Sequence, residues 1–132
     1  MLLTRASEYA LLSLDVIRNT KYPIGAEQLA TELSIPKSFL AKILQSLAKQ
    51  GILESRKGAH GGFILAKKVE EISVNEIIFA AEGKTPAVFD CSQHIESCPN
   101  GMIGTCAISP FLIKFQTKID DFLDDLMLTD IL

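Results

Sequence analysis

Three cysteines lie within one short stretch of the chain, where their thiolates could bind a soft metal. They are Cys91, Cys98 and Cys106, with the spacing Cys-x6-Cys-x7-Cys. Thiolate ligands favour iron–sulfur clusters, zinc and copper(I). The surrounding residues 84–107 contain several prolines and glycines, which predicts a loop from which three thiolates can converge. The spacing alone leaves open a cluster, zinc, a thiol–disulfide switch or unrelated buried thiols.

A second set of candidate residues forms a basic segment within an acidic chain. The net charge of the 132 residues is −3, but residues 36–68 carry seven basic groups and one acidic group, a net charge of +6. Residues 1–35 have a net charge of −1 and residues 69–132 a net charge of −8. Such a partition suggests an anionic partner for residues 36–68, although a solvated lysine face would have the same composition.

The elements that would position these residues follow from apolar spacing and capping signals. Their order is helix, short helix, turn, helix, hairpin, helix, loop and final helix. The order up to the hairpin is typical of a winged helix-turn-helix. The predicted fold is therefore mainly α, with a small β-hairpin wing and a long C-terminal dimerisation helix. We expect a DNA-binding domain at 1–83, a sensor loop at 84–108 and a dimerisation helix at 109–132. The predicted elements are helices 4–19, 26–33 and 36–50, strands 52–56 and 62–67, a helix capped at Ser73 that ends near Glu82, and a helix from Ser109 to about Leu128.

The third helix has the chemistry of a helix that reads the major groove of double-stranded DNA. Its predicted inner face is apolar, and its outer face is polar or basic without an acidic residue. Gln45 can pair with adenine, and the lysines can reach phosphate or guanine. The glycine-rich hairpin tip suits a backbone or minor-groove contact. The predicted DNA-binding residues are Lys37, Ser38, Lys42, Gln45, Lys49, Arg56, Lys57, His60 and Gly61.

The final helix carries an apolar seam that predicts a homodimer. Its lysines precede its aspartates, an order that opposes the helix dipole. An antiparallel partner would bring the lysines of one chain against the aspartates of the other. Helix packing within one chain could also explain part of the seam. The seam residues have the 3, 4, 3, 4 spacing of a coiled coil and are Leu112, Phe115, Ile119, Phe122 and Leu126.

Several stretches together resemble the bacterial IscR/NsrR family of winged-helix transcription regulators. The resemblance covers nearly the whole chain, including the cysteine loop and the final helix. It implies a homodimeric regulator, a repressor in our interpretation, that binds a palindromic promoter site. Many members of the family sense iron–sulfur status, nitric oxide or redox state through a cluster held by three cysteines. The matching stretches are residues 3–11, 35–47, 61–66, 72–77 and 81–83.

The resemblance also bears on the fourth ligand of such a cluster. Cluster-assembly regulators of the family have a histidine three residues after the third cysteine, where this chain has Ser109. Glu8 occupies the first-helix position from which related members supply a carboxylate to the partner subunit's cluster. His94, within the cysteine loop, is the less favoured alternative. The cluster type, 2Fe-2S or 4Fe-4S, stays open, and zinc is the alternative metal.

Other function classes fit the sequence poorly. The apolar runs are too short to span a membrane, and the first residues lack the features of a secretory signal, so we expect a cytoplasmic protein. No phosphate loop or nucleophile elbow is present, and neither of the two histidines has a catalytic partner nearby in sequence, so an enzyme is not expected. The remaining alternatives are a thiol or zinc sensor on the same fold and a winged helix that binds protein.

Overall fold

The computed structural model describes residues 3–88 and 106–132, which form a mainly helical fold with a β-hairpin. This confirms the winged-helix class that the sequence predicts. The two strands pair antiparallel, with Leu53 opposite Leu65 and Arg56 opposite Gly62. The elements are α1 (Arg5–Asn19), α2 (Ala26–Leu33), α3 (Lys37–Lys49), β1 (Leu53–Arg56), β2 (Gly62–Leu65), a 3-10 turn (Val69–Glu71), α4 (Val74–Glu82), α5 (Ser109–Asp125) and α6 (Leu128–Ile131).

Local capping signals explain the start of α1 and both ends of α4. The Thr4 hydroxyl accepts a hydrogen bond from the backbone N–H of Ala6 at the start of α1. At the start of α4, the Ser73 hydroxyl accepts from the Glu76 N–H, and the Glu76 carboxylate accepts from the Ser73 N–H. This reciprocal pair is the capping box predicted from the sequence. The predicted stop of α4 at Gly83 is also confirmed, with a left-handed φ of 74°.

The main core lies where α1, α3 and α4 pack together and the hairpin joins them. It consists of aliphatic side chains from α1, α2, α3 and α4 and from the segments between them, with Phe63 contributed by β2 and Leu128 by α6. A second, smaller cluster joins α4 to α5 through Val74, Ile78 and Leu123. These two clusters place α4 between α1 and α3 on one side and the final helix on the other.

The first strand begins one residue later than predicted because Ile52 forms a hydrogen bond with the last turn of α3. Ile52 is fully buried, and its N–H donates to the Leu47 carbonyl in the last turn of α3. The Ile52 carbonyl still accepts from the Ala66 N–H, so the strand alignment continues beyond β1 and β2. The helix α3 begins at Lys37, one residue later than predicted, because Pro36 acts as its N-cap.

The final helix ends earlier than predicted because the chain turns back onto the core. The residue after α5, Leu126, is extended, and its carbonyl accepts from the Val74 N–H at 2.8 Å. The Leu128 N–H then donates to the Ile72 carbonyl at 2.8 Å, and the Leu128 side chain is fully buried in the main core. Residues 126–128 therefore attach the end of α5 to the start of α4. The division into units at 83 and 108 stays a prediction.

Candidate nucleic-acid interface

The helix α3 presents its predicted polar face outward on an apolar back. Leu40, Leu44 and Leu47 are fully buried, and Ile43 is almost so. These side chains occupy one side because they recur at helical spacing, and α3 packs through them against α2 and α4. The predicted outer residues are all exposed: Ser38, Lys42, Gln45 and Lys49. The helix is thus seated on the core while its polar side chains stay accessible.

The first lysine of α3 has an intrachain partner that does not remove it from solvent. The Lys37 ammonium lies 3.2 Å from the Glu27 carboxylate of α2, and both side chains are mostly exposed. Exposed pairs of this kind contribute at most about 1 kcal/mol, so a phosphate can replace the carboxylate at little cost. Arg56 on β1 forms a similar exposed pair with Glu54, at 2.9 Å.

The hairpin tip is exposed as predicted. Lys57 and His60 lie at its surface, and Gly61 is half-buried, with its N–H donating to the Gly58 carbonyl at 3.0 Å. A lysine at a tip built from glycines can approach a phosphate backbone closely. The tip therefore has the chemistry that the sequence predicts for a wing.

The wing is attached to the helices through a contact that the sequence analysis missed. Phe63 of β2 and Ile24, which precedes α2, exchange two backbone hydrogen bonds of 2.9 and 3.3 Å. Gly62 has a φ of +146°, and a Cβ atom there would collide with the Ile24 backbone. This close approach fixes the wing relative to the helix-turn-helix. The glycine pair at 61–62 is the sequence signal that could have indicated it.

An exposed aromatic residue borders the wing and was also missed by the sequence analysis. Tyr22 and Gln28 line the same open cleft as His60 at the hairpin tip. Tyr22 is 70% exposed, and the Lys21 ammonium lies 5.9 Å from the centre of its ring. A tyrosine next to a lysine in the break between two helices is the signal in the sequence. Both side chains are accessible to a partner that contacts the wing.

The start of α1 is held by a carboxylate at the end of α4. Glu82 accepts a hydrogen bond from the Thr4 N–H at 3.0 Å and another from the Ser7 hydroxyl at 2.7 Å. Partial burial by itself would raise the pKa of Glu82. The hydrogen bonds from Thr4 and Ser7 and the charge of Lys84 act in the opposite direction and together outweigh it, so the pKa of Glu82 is lowered. The contact also places a negative charge at the N-terminus of α1, which the helix dipole favours.

Of the predicted metal ligands, the structure describes two, Cys106 and Glu8, and they belong to different elements. Cys106 is a free, half-buried thiol that lies three residues before α5, and its carbonyl accepts from the Ser109 N–H at 3.2 Å. Glu8 is exposed on α1, and one of its oxygens lies 2.9 Å from the Arg5 guanidinium. Cys91, His94 and Cys98 lie outside the described residues. Within residues 3–88 and 106–132, no three potential ligands lie close enough to hold a metal.

Some residues of the predicted seam of the final helix pack against the rest of the chain, and others are exposed to solvent. Leu112 is buried, and Ile119 and Leu126 pack against the small cluster shared with α4. Phe115 and Phe122 are exposed, by 36% and 61%. Packing within the chain therefore explains part of the seam, and the outward face of α5 carries the other part. The outward face also includes Phe111, whose ring stacks on that of Phe115 at 5.8 Å.

The helices α2 and α3 form a helix-turn-helix in which α3 is amphipathic, and the β-hairpin is attached at the start of α2 as a wing. These features define a winged-helix regulator. Comparison with known proteins agrees with this class. The chain belongs to the Rrf2 family, whose profile is described as an iron-dependent transcriptional regulator and matches residues 3–132. This confirms the resemblance seen in the sequence. The chain is accordingly a DNA-binding transcriptional regulator rather than an enzyme.

Individual relatives support the same assignment. The chain is 33% identical over 101 residues to protein rrf2 of Nitratidesulfovibrio vulgaris, covering 75% of this chain and 67% of that one. It is 30% identical over 134 residues to the HTH-type transcriptional repressor NsrR of Streptomyces coelicolor, covering 99% and 88%. The solved structure of T. potens IscR shares the fold with a TM-score of 0.70, at 22% identity, over 97% of this chain and 83% of that one. In the described ranges, no helix is both long and apolar enough to cross a membrane.

Proposed function

We propose that the chain is a repressor that binds a palindromic promoter site as a homodimer and reads it with the outer face of α3. The observation that carries the proposal is the continuous exposed polar face of α3 on a fully buried apolar back. Gln45 lies near the middle of that face, where its amide can form a paired hydrogen bond with adenine. Lys57 at the wing tip is suited to phosphate, which carries no sequence information.

A duplex-binding experiment separates these two roles. Replacing Gln45 by alanine should reduce discrimination at one base pair by about 1–3 kcal/mol. Replacing Lys57 by alanine should weaken binding to all sequences. It should also lower the salt slope, which is the slope of the logarithm of the binding constant against that of the salt concentration, by roughly one unit. The exposed Gln50 and Lys68 provide matched controls, each replaced by alanine. If both test variants bound a selected duplex with the affinity and salt slope of the wild type, the assignment of α3 and the wing to DNA contact would be wrong.

The homodimer would form through the outward face of α5. The exposed aromatic rings of Phe111, Phe115 and Phe122 give this face an apolar surface that a second copy can cover. The lysines of α5 precede its aspartates, so an antiparallel partner would pair opposite charges. Two reading helices related by a two-fold axis would then match a palindromic site.

We further propose that DNA affinity is controlled by an iron–sulfur cluster or by redox state at Cys91, Cys98 and Cys106. The donor set fits, since three thiolates are the ligands that such clusters prefer and Cys106 is a free thiol next to α5. When bound, a cluster would supply an oxidation-sensitive link among the three thiolates. Glu8 is the proposed fourth ligand, offered to the partner subunit, and its exposure leaves it available for that role. His94 is the alternative.

Anaerobic reconstitution followed by iron and sulfide analysis tests the sensor. Replacing any one cysteine by serine should remove iron and sulfide together, because the three act as one site. Replacing Glu8 by alanine should leave a cluster with altered absorption bands or faster loss. Replacing Arg5 by alanine is the matched control, since it breaks the same ion pair but keeps the carboxylate.

The outcomes of reconstitution also separate the alternatives. Wild-type protein that takes up only zinc would indicate a zinc sensor, and one that takes up no metal would leave a thiol switch. Either result would contradict the cluster proposal without affecting the DNA-binding assignment. A protein that binds no duplex in any state would instead favour a winged helix that contacts protein.

A further inference from the structure

A single buried amide joins the middle of α5 to the chain that leads toward the cysteines. Gln116 is only 5% exposed, although most residues around it on α5 face solvent. Its side-chain NH₂ donates to the Pro86 carbonyl at 2.8 Å, and its side-chain oxygen accepts from the Val88 N–H at 2.8 Å. Buried amides are retained when their hydrogen bonds are satisfied, as these are. Residues 86–88 are therefore held directly on α5.

A neighbouring carboxylate fixes which way this amide points. The second hydrogen of the Gln116 NH₂ group is donated to the Asp120 carboxylate, one turn further along α5, at 2.8 Å. Because a carboxylate only accepts hydrogen bonds, the NH₂ group must face Asp120. The amide oxygen is thereby turned toward Val88. A carboxyl group in place of the amide would bring negative charge against both Asp120 and the Pro86 carbonyl.

The described residues on either side of positions 89–105, which include Cys91 and Cys98, both form hydrogen bonds with this same helix. Val88, the last described residue before that segment, is bound at Gln116. On the other side, the Cys106 carbonyl accepts from the Ser109 N–H in the first turn of α5. Ser109 and Gln116 are seven residues apart in the helix, which corresponds to about 10 Å along its axis.

The same helix is attached at its far end to the DNA-binding part of the chain. The Leu126 carbonyl and the Leu128 N–H form hydrogen bonds with Val74 and Ile72 at the start of α4. The helix α4 packs in turn against α3. A continuous path of hydrogen bonds and packed side chains therefore connects residues 86–88 with α3 through α5 and α4.

We propose that Gln116 is a positioning residue that holds residues 86–88 on α5 and thereby couples the state of the cysteines to DNA affinity. The coupling rests on the sensor function proposed above, whereas the attachment itself does not. Without the amide, α5 would keep its contacts with α4, but residues 86–88 would lose two hydrogen bonds that hold them on α5. The cysteine state would then have less influence on the helix that carries the DNA-binding unit.

Hydrogen exchange tests the attachment without any cofactor. In Gln116→Glu, repulsion from Asp120 and from the Pro86 carbonyl should drive the new carboxylate away from its position. The Val88 N–H then loses its acceptor, and the Val88 amide should exchange about tenfold faster than in the wild type. Adding Asp120→Asn should slow the exchange again, because the new amide can donate to the introduced carboxylate. Thr117→Ala, on the exposed side of the same helix, is the control and should leave Val88 unchanged. If Gln116→Glu unfolds the protein, Gln116→Met keeps the side-chain length without the polar atoms. Unchanged Val88 exchange in a folded Gln116 variant would overturn the proposal.

Duplex affinity then tests the coupling, measured with and without reconstituted cofactor. The wild-type ratio of the two affinities should be on the order of fivefold or more, and the ratio for Gln116→Glu should fall toward one. The affinity without cofactor should stay near that of the wild type, because Gln116 lies on α5, whereas the proposed DNA-binding residues lie on α3 and the hairpin. A Gln116→Glu ratio equal to the wild-type ratio, with Val88 exchange already accelerated, would overturn the coupling. If the wild-type protein bound the duplex equally well with and without cofactor, both the proposed sensor function and its coupling through Gln116 would be wrong. The hydrogen-exchange result would still test the attachment of residues 86–88 to α5.

Discussion

Leu128 offers a direct test of whether the C-terminal segment is part of the main core. The sequence predicts this residue at the end of a dimerisation helix, but the structure buries it completely in the main core, which also includes residues of α1 and α3. Replacing it by alanine removes most of an apolar side chain from that core and leaves a cavity. The Leu128→Ala variant should therefore lose stability of the whole fold and not only of the last helix.

The expected size of the effect follows from the burial of Leu128. Removing a fully buried leucine side chain costs about 2–5 kcal/mol, and a site near the chain end that can partly collapse belongs toward the lower half of that range. We expect a loss of about 3 kcal/mol in the free energy of unfolding. For a chain of this length, such a loss lowers the melting temperature by roughly 10 °C.

Urea unfolding followed by circular dichroism measures this loss. Because a dimer is more stable at higher concentration, wild type and variant should be compared at several protein concentrations. Ile131→Ala is the matched control, since Ile131 lies in the same short helix but is 40% exposed; it should change stability by less than about 1 kcal/mol. An unfolding midpoint of Leu128→Ala equal to that of Ile131→Ala would refute the placement of residues 126–128 on the core.

Three other predictions concern the dimer, the pH dependence and the wing. Phe115→Glu should place a charge in the outward face of α5 and give monomer in sedimentation, while Thr117→Glu on the same helix should stay dimeric; a full dimer in both would place the interface elsewhere. The pKa of Glu82 is lowered from 4.5 in the folded state, so its stabilising effect is present above pH 4.5 and is lost as the pH falls through the folded value. Glu82→Gln keeps the hydrogen-bond acceptor but not the charge, so its stability in urea should decline less between pH 5 and pH 3 than that of the wild type, and equal slopes would contradict this account. Gly62→Ala forces a Cβ atom against the Ile24 backbone and should cost more than about 1–3 kcal/mol; Gly58→Ala, where the space is open, should cost less, and the reverse order would contradict the close approach.

The sequence was most informative where a few neighbouring residues determine the outcome. The inner face of α3, the capping box at Ser73 and the stop at Gly83 all depend on contacts within one or two helical turns. Spacing and residue type are sufficient to predict such features. The same local pattern indicated a polar outer face and a glycine-rich wing, which are the main parts of the candidate DNA interface.

The sequence could not show which apolar side chains of the final helix face their own chain. The apolar residues of the seam follow one regular helical spacing. Even so, Ile119 and Leu126 pack against the cluster shared with α4, whereas Phe115 and Phe122 are exposed. Periodicity specifies one side of a helix but not what covers that side. The turn at Leu126, which ends α5 early, forms because its carbonyl meets an N–H from residue 74, far away in sequence.

The sequence by itself determined the order of the elements, the amphipathic reading helix and the donor chemistry of the cysteines, because these depend on residue type and short-range spacing. Only the tertiary structure decided how the elements are attached to one another. Glu82 holds Thr4 across 78 positions, and Gln116 holds Pro86 across 30. A glutamate at a helix end and a glutamine in a polar helix look like ordinary solvent-facing residues in a sequence. They acquire their roles because the fold buries their polar atoms beside unpaired backbone groups from distant segments, and those groups require a partner.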